Sequence, residues 1–205
     1  MADCQTFNAQ TCWVVAIGAS GPQGMNDIRE LLGELSTEIA AVIMVVLNRS
    51  WRQPSYLHAF LTPATALPVV IAADGEHLQM GTVYIGEPSR HIMLRAQGPS
   101  CEVIADPDRK YGNRTVDLLL KSVAANAGPQ MIGVILSGSL DDGSLGLAAI
   151  HDGGGITMVR SPSNPPWDAM PRNAIDFGNP VGLIGDFKAI ALGIRAACGV
   201  RNARA

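Results

Sequence analysis

Polar residues that could perform chemistry follow three apolar runs of the sequence. The first run ends in Gly18-Ala19-Ser20-Gly21-Pro22-Gln23-Gly24, the second in Leu47-Asn48-Arg49-Ser50-Trp51, and a later one in Ser137-Gly138-Ser139-Leu140-Asp141-Asp142-Gly143. In an open α/β sheet, ligands bind at the loops that follow the carboxyl ends of the strands. These three loops are therefore the candidates for a functional site.

Ser20 is the candidate nucleophile of the first loop. It stands where a strand is expected to turn into a helix, and a helix N-terminus stabilises negative charge nearby. Serine is also a favoured N-cap residue for reasons unrelated to chemistry. From this loop alone a helix cap is the simpler interpretation, and a nucleophile is the alternative.

The adjacent carboxylates of Asp141 and Asp142 precede Gly143 and a stretch with helical spacing. One of them is expected to be the N-cap of that following helix. The other would then orient a base or hold a charge. Because paired carboxylates beside a glycine are common in loops without chemistry, a cap alone is the simpler interpretation here too.

The glycine spacing of the first loop also resembles, loosely, a phosphate-binding loop for a dinucleotide. Such a site needs an acidic residue near the end of the second strand, and Asn48-Arg49 offers none, although Arg49 could meet a 2′-phosphate. Pro22 also removes a backbone donor from the loop. A dinucleotide-binding domain is therefore the least favoured hypothesis.

Short apolar runs that alternate with helical spacing must position these loops. Several runs are apolar throughout, which is typical of strands covered on both faces. The expected strands are Trp13–Gly18, Ala41–Leu47, Val69–Ala72, Thr82–Ile85, Met131–Ser137, Gly155–Val159 and Val181–Ile184. The expected helices are Met25–Leu35, Pro54–Leu61, Thr115–Ala125, Leu145–Ile150 and Phe187–Ala197. This alternation predicts an α/β fold with a parallel sheet and helices on both faces. The segment Val69–Ala96 shows no convincing helix and is expected to form a small antiparallel hairpin or an addition to the sheet edge.

Length and composition exclude several classes of function. The 205 residues suit a single domain, expected over residues 13–198, and the formal charge of −3 gives no electrostatic reason to expect nucleic acid. The longest apolar run, Ile39–Leu47, is well short of the roughly 20 residues that a membrane-spanning helix needs. The first residues lack the features of a secretory signal, and the four cysteines form no C-x-x-C pair. We therefore expect a cytoplasmic protein with reduced thiols, no metal site and no cofactor.

Taken together, these segments resemble the catalytic domain of the CheB-type chemotaxis receptor methylesterases, which remove methyl esters from glutamates on chemoreceptor helices. The resemblance runs from Val14 to about Ala197. The motifs that carry it are Val15-Ala16-Ile17-Gly18-Ala19-Ser20, the whole segment Gly133–Gly143, Ala169-Met170-Pro171-Arg172-Asn173-Ala174-Ile175, Arg90-His91 and Thr115-Val116-Asp117-Leu118-Leu119. The resemblance implies a doubly wound, mostly parallel α/β domain.

The resemblance also implies roles for particular residues. Ser20 corresponds to the family nucleophile, and Asp142 to the family acid. The family's oxyanion and substrate-binding site corresponds to the surroundings of Gly21, Ser139 and Met170. The implied partner is a methylated chemoreceptor or a related signalling protein.

The sequence departs from the family pattern where the catalytic base is expected. Asn48 stands at the position of the family histidine, and an amide cannot take up a proton near neutral pH. Pro22 and Gln23 stand where the family has glycines, and Ser139 stands where it has a methionine. Of the four histidines, His58 is the only one that we consider as a substitute base. His77, His91 and His151 are expected to have surface or packing roles.

Two functional hypotheses remain besides the dinucleotide site. One is a methyl-ester hydrolase with altered machinery, and the other is a degenerate relative that binds or docks without catalysis. The family commonly joins this domain to an N-terminal phosphoacceptor receiver, and no receiver is expected within these residues. The sequence leaves open whether the domain acts alone, is regulated by a separate receiver-domain partner, or is part of a longer protein.

Overall fold

The structure is a computed structural model, and it describes residues 12–50, 52, 55–96, 100–108, 110–111, 114–139, 141–163 and 167–199. The strands in chain order are β1 (Trp13–Ser20), β2 (Ala41–Asn48), β3 (Val69–Ile71), β4 (Val83–Ile85), β5 (Arg90–Leu94), β6 (Cys101–Ala105), β7 (Met131–Ile135), β8 (Ile156–Arg160) and β9 (Leu183–Gly185). The helices are α1 (Gly21–Gly33), α2 (Leu57–Leu61), α3 (Thr115–Asn126), α4 (Ser144–Asp152), α5 (Ala169–Asp176) and α6 (Phe187–Cys198), with a short 3-10 helix at Thr62–Ala64.

A seven-stranded sheet forms the centre of the molecule, in the order β3-β4-β2-β1-β7-β8-β9. Every neighbouring pair in it is parallel. The chain moves from β1 to β2 on one side and later returns to place β7 on the other side of β1. A crevice at the carboxyl ends of β1 and β7 is the place where this architecture binds ligands. The predicted fold class, a mostly parallel sheet with helices on both faces, is confirmed.

The segment Val69–Ala96 forms the predicted addition to the sheet edge, and it also contributes one strand to an antiparallel hairpin. Its first two strands, β3 and β4, pair in parallel and extend the main sheet, so that β3 forms one edge. The antiparallel hairpin lies further along, between β5 and β6. The segment between β3 and β4 contains no helix, and a connecting helix is the usual signal of a parallel crossover. Its absence is the reason that the sequence suggested a hairpin at this point.

Three helices also differ from their predictions. Helix α2 begins at Leu57, and Pro54, its expected first residue, lies outside the described residues. Helix α1 begins at Gly21, four residues before the expected start, with Pro22 in its first turn. A proline is tolerated there because the first N–H groups of a helix have no intrahelical partner. Helix α5 was not predicted as a helix, although its residues belong to the motif Ala169–Ile175. None of the helices in the described part of the chain is long and apolar enough to cross a membrane.

The two faces of the sheet carry separate hydrophobic cores. Odd-numbered residues of β1 and β2 pack with α1, α2 and α6, and even-numbered ones pack with α3, α4 and α5. Because side chains alternate between the faces of a strand, Ser20 and Asn48 belong to the face of α3 and α4. The final residues of β1 and β2 therefore lie on the face of the sheet that packs against α3, α4 and α5.

Gly18 sets how closely α3 approaches β1. A Cβ atom at Gly18 would overlap Cγ1 of Val116. We expect Gly18→Ala to lower the free energy of unfolding by about 1–3 kcal/mol, because Val116 is too short to move aside. Gly86→Ala is the matched control, since its Cβ would lie at an ordinary 3.4 Å from Ile92. Urea unfolding of both variants checks this, and equal losses would contradict it.

Candidate active site

Ser20 and Asn48 lie side by side at the carboxyl edge of the sheet. They form the last register pair between β1 and β2, and neighbouring strands are about 4.8 Å apart. Both are buried, with 5% of Ser20 and 8% of Asn48 exposed. The structure therefore brings the candidate nucleophile next to the residue that stands at the position of the family base.

Ser20 occupies the N-cap position of α1, as the simpler interpretation of its loop predicted. Its backbone is extended (φ −140°, ψ 142°), and its side chain makes no capping hydrogen bond. Its N–H donates to the carbonyl of Ser137 at 3.0 Å, which ties the turn to the end of β7. Gly21 follows with a positive φ of 69°, a conformation that favours glycine. The hydroxyl of Ser20 is thus held at a helix start without being used to cap it.

The carboxylate of Asp142 caps α3. Its Oδ2 accepts a hydrogen bond from the N–H of Val116 at 3.0 Å, and its Oδ1 accepts one from the N–H of Asp117 at 2.9 Å. These N–H groups belong to the first helical turn, where intrahelical acceptors are missing. Asp142 is 1% exposed. It therefore joins the loop after β7 to the start of α3 inside the protein.

A carboxylate of α3, that of Asp117, accepts hydrogen bonds from the start of α4. Oδ1 of Asp117 accepts hydrogen bonds from the N–H groups of Gly143 at 3.0 Å and Gly146 at 2.7 Å. The prediction that Asp141 or Asp142 is the N-cap of α4 is wrong, because Gly143 occupies that position with a φ of 105°. The chain turns sharply at this glycine, and the carboxylate before it reaches α3 instead.

The side chain of Asn48 completes the set of donors to Asp142. Its Nδ2 donates to Oδ2 of Asp142 at 3.2 Å, the contact expected if Asn48 lies at the position of the family base. Burial raises the pKa of Asp142 to about 6, although the hydrogen bonds from Val116, Asp117 and Asn48 act in the opposite direction. The carboxylate is thus held by two backbone amides and one side-chain amide.

Gly138 lets the nucleophile loop, the loop after β7 and the start of α5 come together. A Cβ atom at Gly138 would lie 2.8 Å from Cβ of Ser20 and 2.6 Å from Sδ of Met170. Its N–H donates to the carbonyl of Trp167 at 2.8 Å, and its carbonyl accepts from the N–H of Met170 at 2.9 Å. The sequence placed Met170 near the site, and the structure packs it there, but no pattern pointed to Trp167.

The amide groups of Gly21 and Ser139 are the predicted oxyanion donors. Neither N–H donates a hydrogen bond to another residue in the described part of the chain. Gly138, between these loops, has its N–H occupied by Trp167. Gly21 and Ser139 therefore have free donors on the two loops that flank Ser20, and their oxyanion role stays a prediction.

A buried ion pair fixes the nucleophile loop from the other face of the sheet. Asp27 of α1 is 1% exposed, and its Oδ2 lies 3.1 Å from Nε of Arg160 at the end of β8. The same oxygen accepts from the N–H of Ser137 at 3.1 Å, and Oδ1 accepts from Gln23 at 2.8 Å. Sequence reasoning missed this pair, because its members are 133 residues apart and belong to no recognised motif.

None of the four histidines lies where a base for Ser20 is needed. His58, the considered substitute, bonds the carbonyl of Val69 at 3.0 Å. Val69 and Ile43 are both register partners of Val83 in β4, so they lie at the same height in the sheet. Ile43 precedes Asn48 by five residues of β2, which corresponds to roughly 16 Å along the strand. His91 bonds Asp106 at 3.1 Å on the hairpin. The other two are His77, whose backbone forms an isolated antiparallel β-bridge with Ser100, and His151, which lies in the last turn of α4.

A family model for CheB methylesterase matches residues 15–194, a range that includes Ser20, Asn48 and Asp142. The chain belongs to the CheB methylesterase family. Two curated relatives are protein-glutamate methylesterase/protein-glutamine glutaminase 4 of Anaeromyxobacter dehalogenans and protein-glutamate methylesterase/protein-glutamine glutaminase 3 of Paramagnetospirillum magneticum. The first is 36% identical over 170 residues, 82% of this chain and 47% of the relative. The second is 33% identical over 167 residues, 80% of this chain and 46% of the relative. The chain spans about half the length of the curated relatives it matches.

The CheB fold of the chain is also found among solved structures. The crystal structure of the Thermotoga maritima CheB methylesterase catalytic domain matches with a TM-score of 0.78 and 26% identity. The match covers 89% of this chain and 97% of that domain. The resemblance inferred from the sequence motifs is therefore confirmed for family and fold.

The raised pKa of Asp142 predicts a specific pH dependence. Its folded-state pKa of about 6 lies above the ordinary value of 3.8. Its contribution to stability is therefore fully present below pH 3.8 and is lost as the pH rises through about 6. We expect the Asp142 carboxyl to titrate near pH 6 in ¹³C NMR, and at a higher pH in Asn48→Ala, which loses a donor to the carboxylate.

The matched control for this titration is Asn126→Ala. The Asn126 amide donates to the carbonyl of Leu94 at 2.9 Å, at the opposite end of α3 from Val116 and Asp117. This variant should leave the titration of Asp142 unchanged. A wild-type midpoint at or below about 4, or an unchanged midpoint in Asn48→Ala, would contradict the account of this carboxyl.

Proposed function

We propose that this chain is a CheB-type domain that recognises methyl-esterified glutamates of a chemoreceptor or a related signalling protein in the cytoplasm, and that it hydrolyses them slowly. The observation that carries the proposal is the hydrogen bond from Asn48 Nδ2 to Asp142 Oδ2, at 3.2 Å. With Ser20 as the nucleophile and Asp142 as the acid, this contact supports the view that an amide occupies the position where the reaction needs a group that takes up and returns a proton.

Ester hydrolysis by a serine needs a base at two steps. The base takes the proton of the Ser20 hydroxyl as its oxygen attacks the ester carbonyl, and a base then activates the water that releases the acid from the acyl-enzyme. An asparagine side chain is neither protonated nor deprotonated near neutral pH. Loss of the histidine from such a triad lowers kcat by about 10⁶, equivalent to about 8 kcal/mol of barrier.

The rest of the site does not depend on a base. The N-terminus of α1 and the free N–H groups of Gly21 and Ser139 attract the oxygen of an ester carbonyl through their partial positive charges. The Ser20 turn is fixed by Ser137 on one side and by the buried Asp27–Arg160 pair on the other. These features support recognition of a glutamate ester in the absence of rapid turnover.

The non-catalytic alternative shares this recognition and differs only in rate. A domain that hydrolyses slowly forms a small amount of acyl-enzyme on Ser20, whereas a purely docking domain forms none. The hydroxyl of Ser20 makes no capping hydrogen bond to α1, so capping does not hold it back from attack. We therefore favour a slow hydrolase over a module without chemistry.

Restoring the histidine tests the proposal. We expect Asn48→His to raise methanol release from a methylated chemoreceptor at least tenfold over wild type, because Ser20 and Asp142 are already in place. Ser20→Ala in the Asn48→His background should abolish the gain. The measurement is methanol release by purified protein, together with direct binding of the same receptor.

The matched control is Asn179→His, which also places an imidazole beside a carboxylate. Asn179 Nδ2 donates to Oδ1 of Asp152 at 3.1 Å at the surface, far along the chain from Ser20. This variant should leave methanol release at the wild-type level. Rapid release by the wild-type protein that disappears in Ser20→Ala would refute the slow-hydrolase proposal.

A further inference from the structure

An exposed tryptophan lies over the turn that carries the nucleophile. Trp167 is 39% exposed. Its Cζ3 atom lies 4.0 Å from the position that a Cβ would occupy at Gly21. The indole ring therefore lies next to the backbone immediately after Ser20, on a residue that is partly exposed.

Backbone hydrogen bonds hold the segment that carries this indole. The carbonyl of Trp167 accepts from the N–H of Gly138 at 2.8 Å, and the N–H of Met170 donates back to Gly138 at 2.9 Å. Between them, Asp168 is buried and pairs with Arg172 at 2.8 Å. Because these contacts do not use the indole, a substitution of the ring leaves the segment held in place.

The amides around Ser20 do not by themselves favour an ester over its acid. The N–H groups of Gly21 and Ser139 and the N-terminus of α1 attract a full negative charge more strongly than a neutral carbonyl. A site made only of these groups would bind the free carboxylate better. A preference for the ester needs an apolar surface that accepts its methyl group and disfavours a desolvated charge.

Trp167 offers such a surface. Met170 lies on the other side of Gly138, but it is 1% exposed and has no surface left for a ligand. We propose that Trp167 is a specificity-determining residue: its indole face receives the methyl group of a glutamate ester whose carbonyl lies against the amides of Gly21 and Ser139. This inference rests on the proposed function and adds the reason that the ester is chosen over the acid.

The test compares two synthetic peptides of a chemoreceptor methylation helix, one with a glutamate γ-methyl ester and one with free glutamate. All proteins carry Ser20→Ala, so that no peptide is consumed. We expect the Ser20→Ala parent to bind the ester peptide at least fivefold more tightly. Trp167→Ala should bring the two dissociation constants within about twofold, mainly by weakening the ester complex, and Trp167→Phe should keep part of the preference.

Trp13→Phe is the matched control. Trp13 is half-buried at the opposite end of β1, seven residues and roughly 23 Å from Ser20. It should keep the full preference for the ester. With 5-fluorotryptophan incorporated, the ¹⁹F resonance that Trp167→Phe removes should shift on addition of the ester peptide and shift less with the acid peptide.

The outcomes separate this inference from the function on which it rests. If the parent binds neither peptide, the proposed function is refuted and the inference with it. If the parent prefers the ester and Trp167→Ala keeps that preference, or weakens both complexes equally, only the role of Trp167 is refuted. A preference lost with the indole and kept in Trp13→Phe supports both.

Discussion

The buried carboxylate of Asp142 is the group on which the geometry of the site depends. Two backbone N–H groups of α3 and the amide of Asn48 donate hydrogen bonds to it. The carboxylate of Asp117, in α3, accepts hydrogen bonds from the backbone at the start of α4. A buried carboxylate without such donors is costly. This exchange therefore holds α3, α4 and the end of β2 in one arrangement.

Asp142 accepts a hydrogen bond at the end of β2, and Asn48 donates it through Nδ2. An imidazole can also donate a hydrogen bond, but unlike an amide it can take up a proton near neutral pH. The family fold and the placement of Ser20 are therefore compatible with an asparagine at the end of β2. Ser20 is fixed by its backbone hydrogen bond to Ser137, by the close approach at Gly138 and by the Asp27–Arg160 pair, none of which uses the side chain of Asn48.

Apolar periodicity was enough to predict the sheet, because strands buried on both faces leave a direct mark on composition. It predicted β3 and β4 as strands but left open whether they form a hairpin or an addition to the sheet edge, because no helix marks the parallel crossover. The three loops of the site were found because a parallel sheet brings its strand ends together. The capping partner of Asp142 could not be found in this way, because Gly143 turns the chain and the acceptor reaches a helix that begins 27 residues earlier. Trp167 was missed because exposure is a property of the packed structure and leaves no pattern in the sequence.

We propose that Ser20 lies in the position of a nucleophile and has no base beside it. The most direct measurement is the rate at which a serine-directed phosphonate labels Ser20, followed by mass spectrometry across pH 5 to 9 in the wild-type protein and in Asn48→His. The account predicts slow labelling of wild type and faster labelling of Asn48→His that rises as the new imidazole loses its proton. Fast labelling of Ser20 in the wild-type protein, unchanged in Asn48→His, would contradict it.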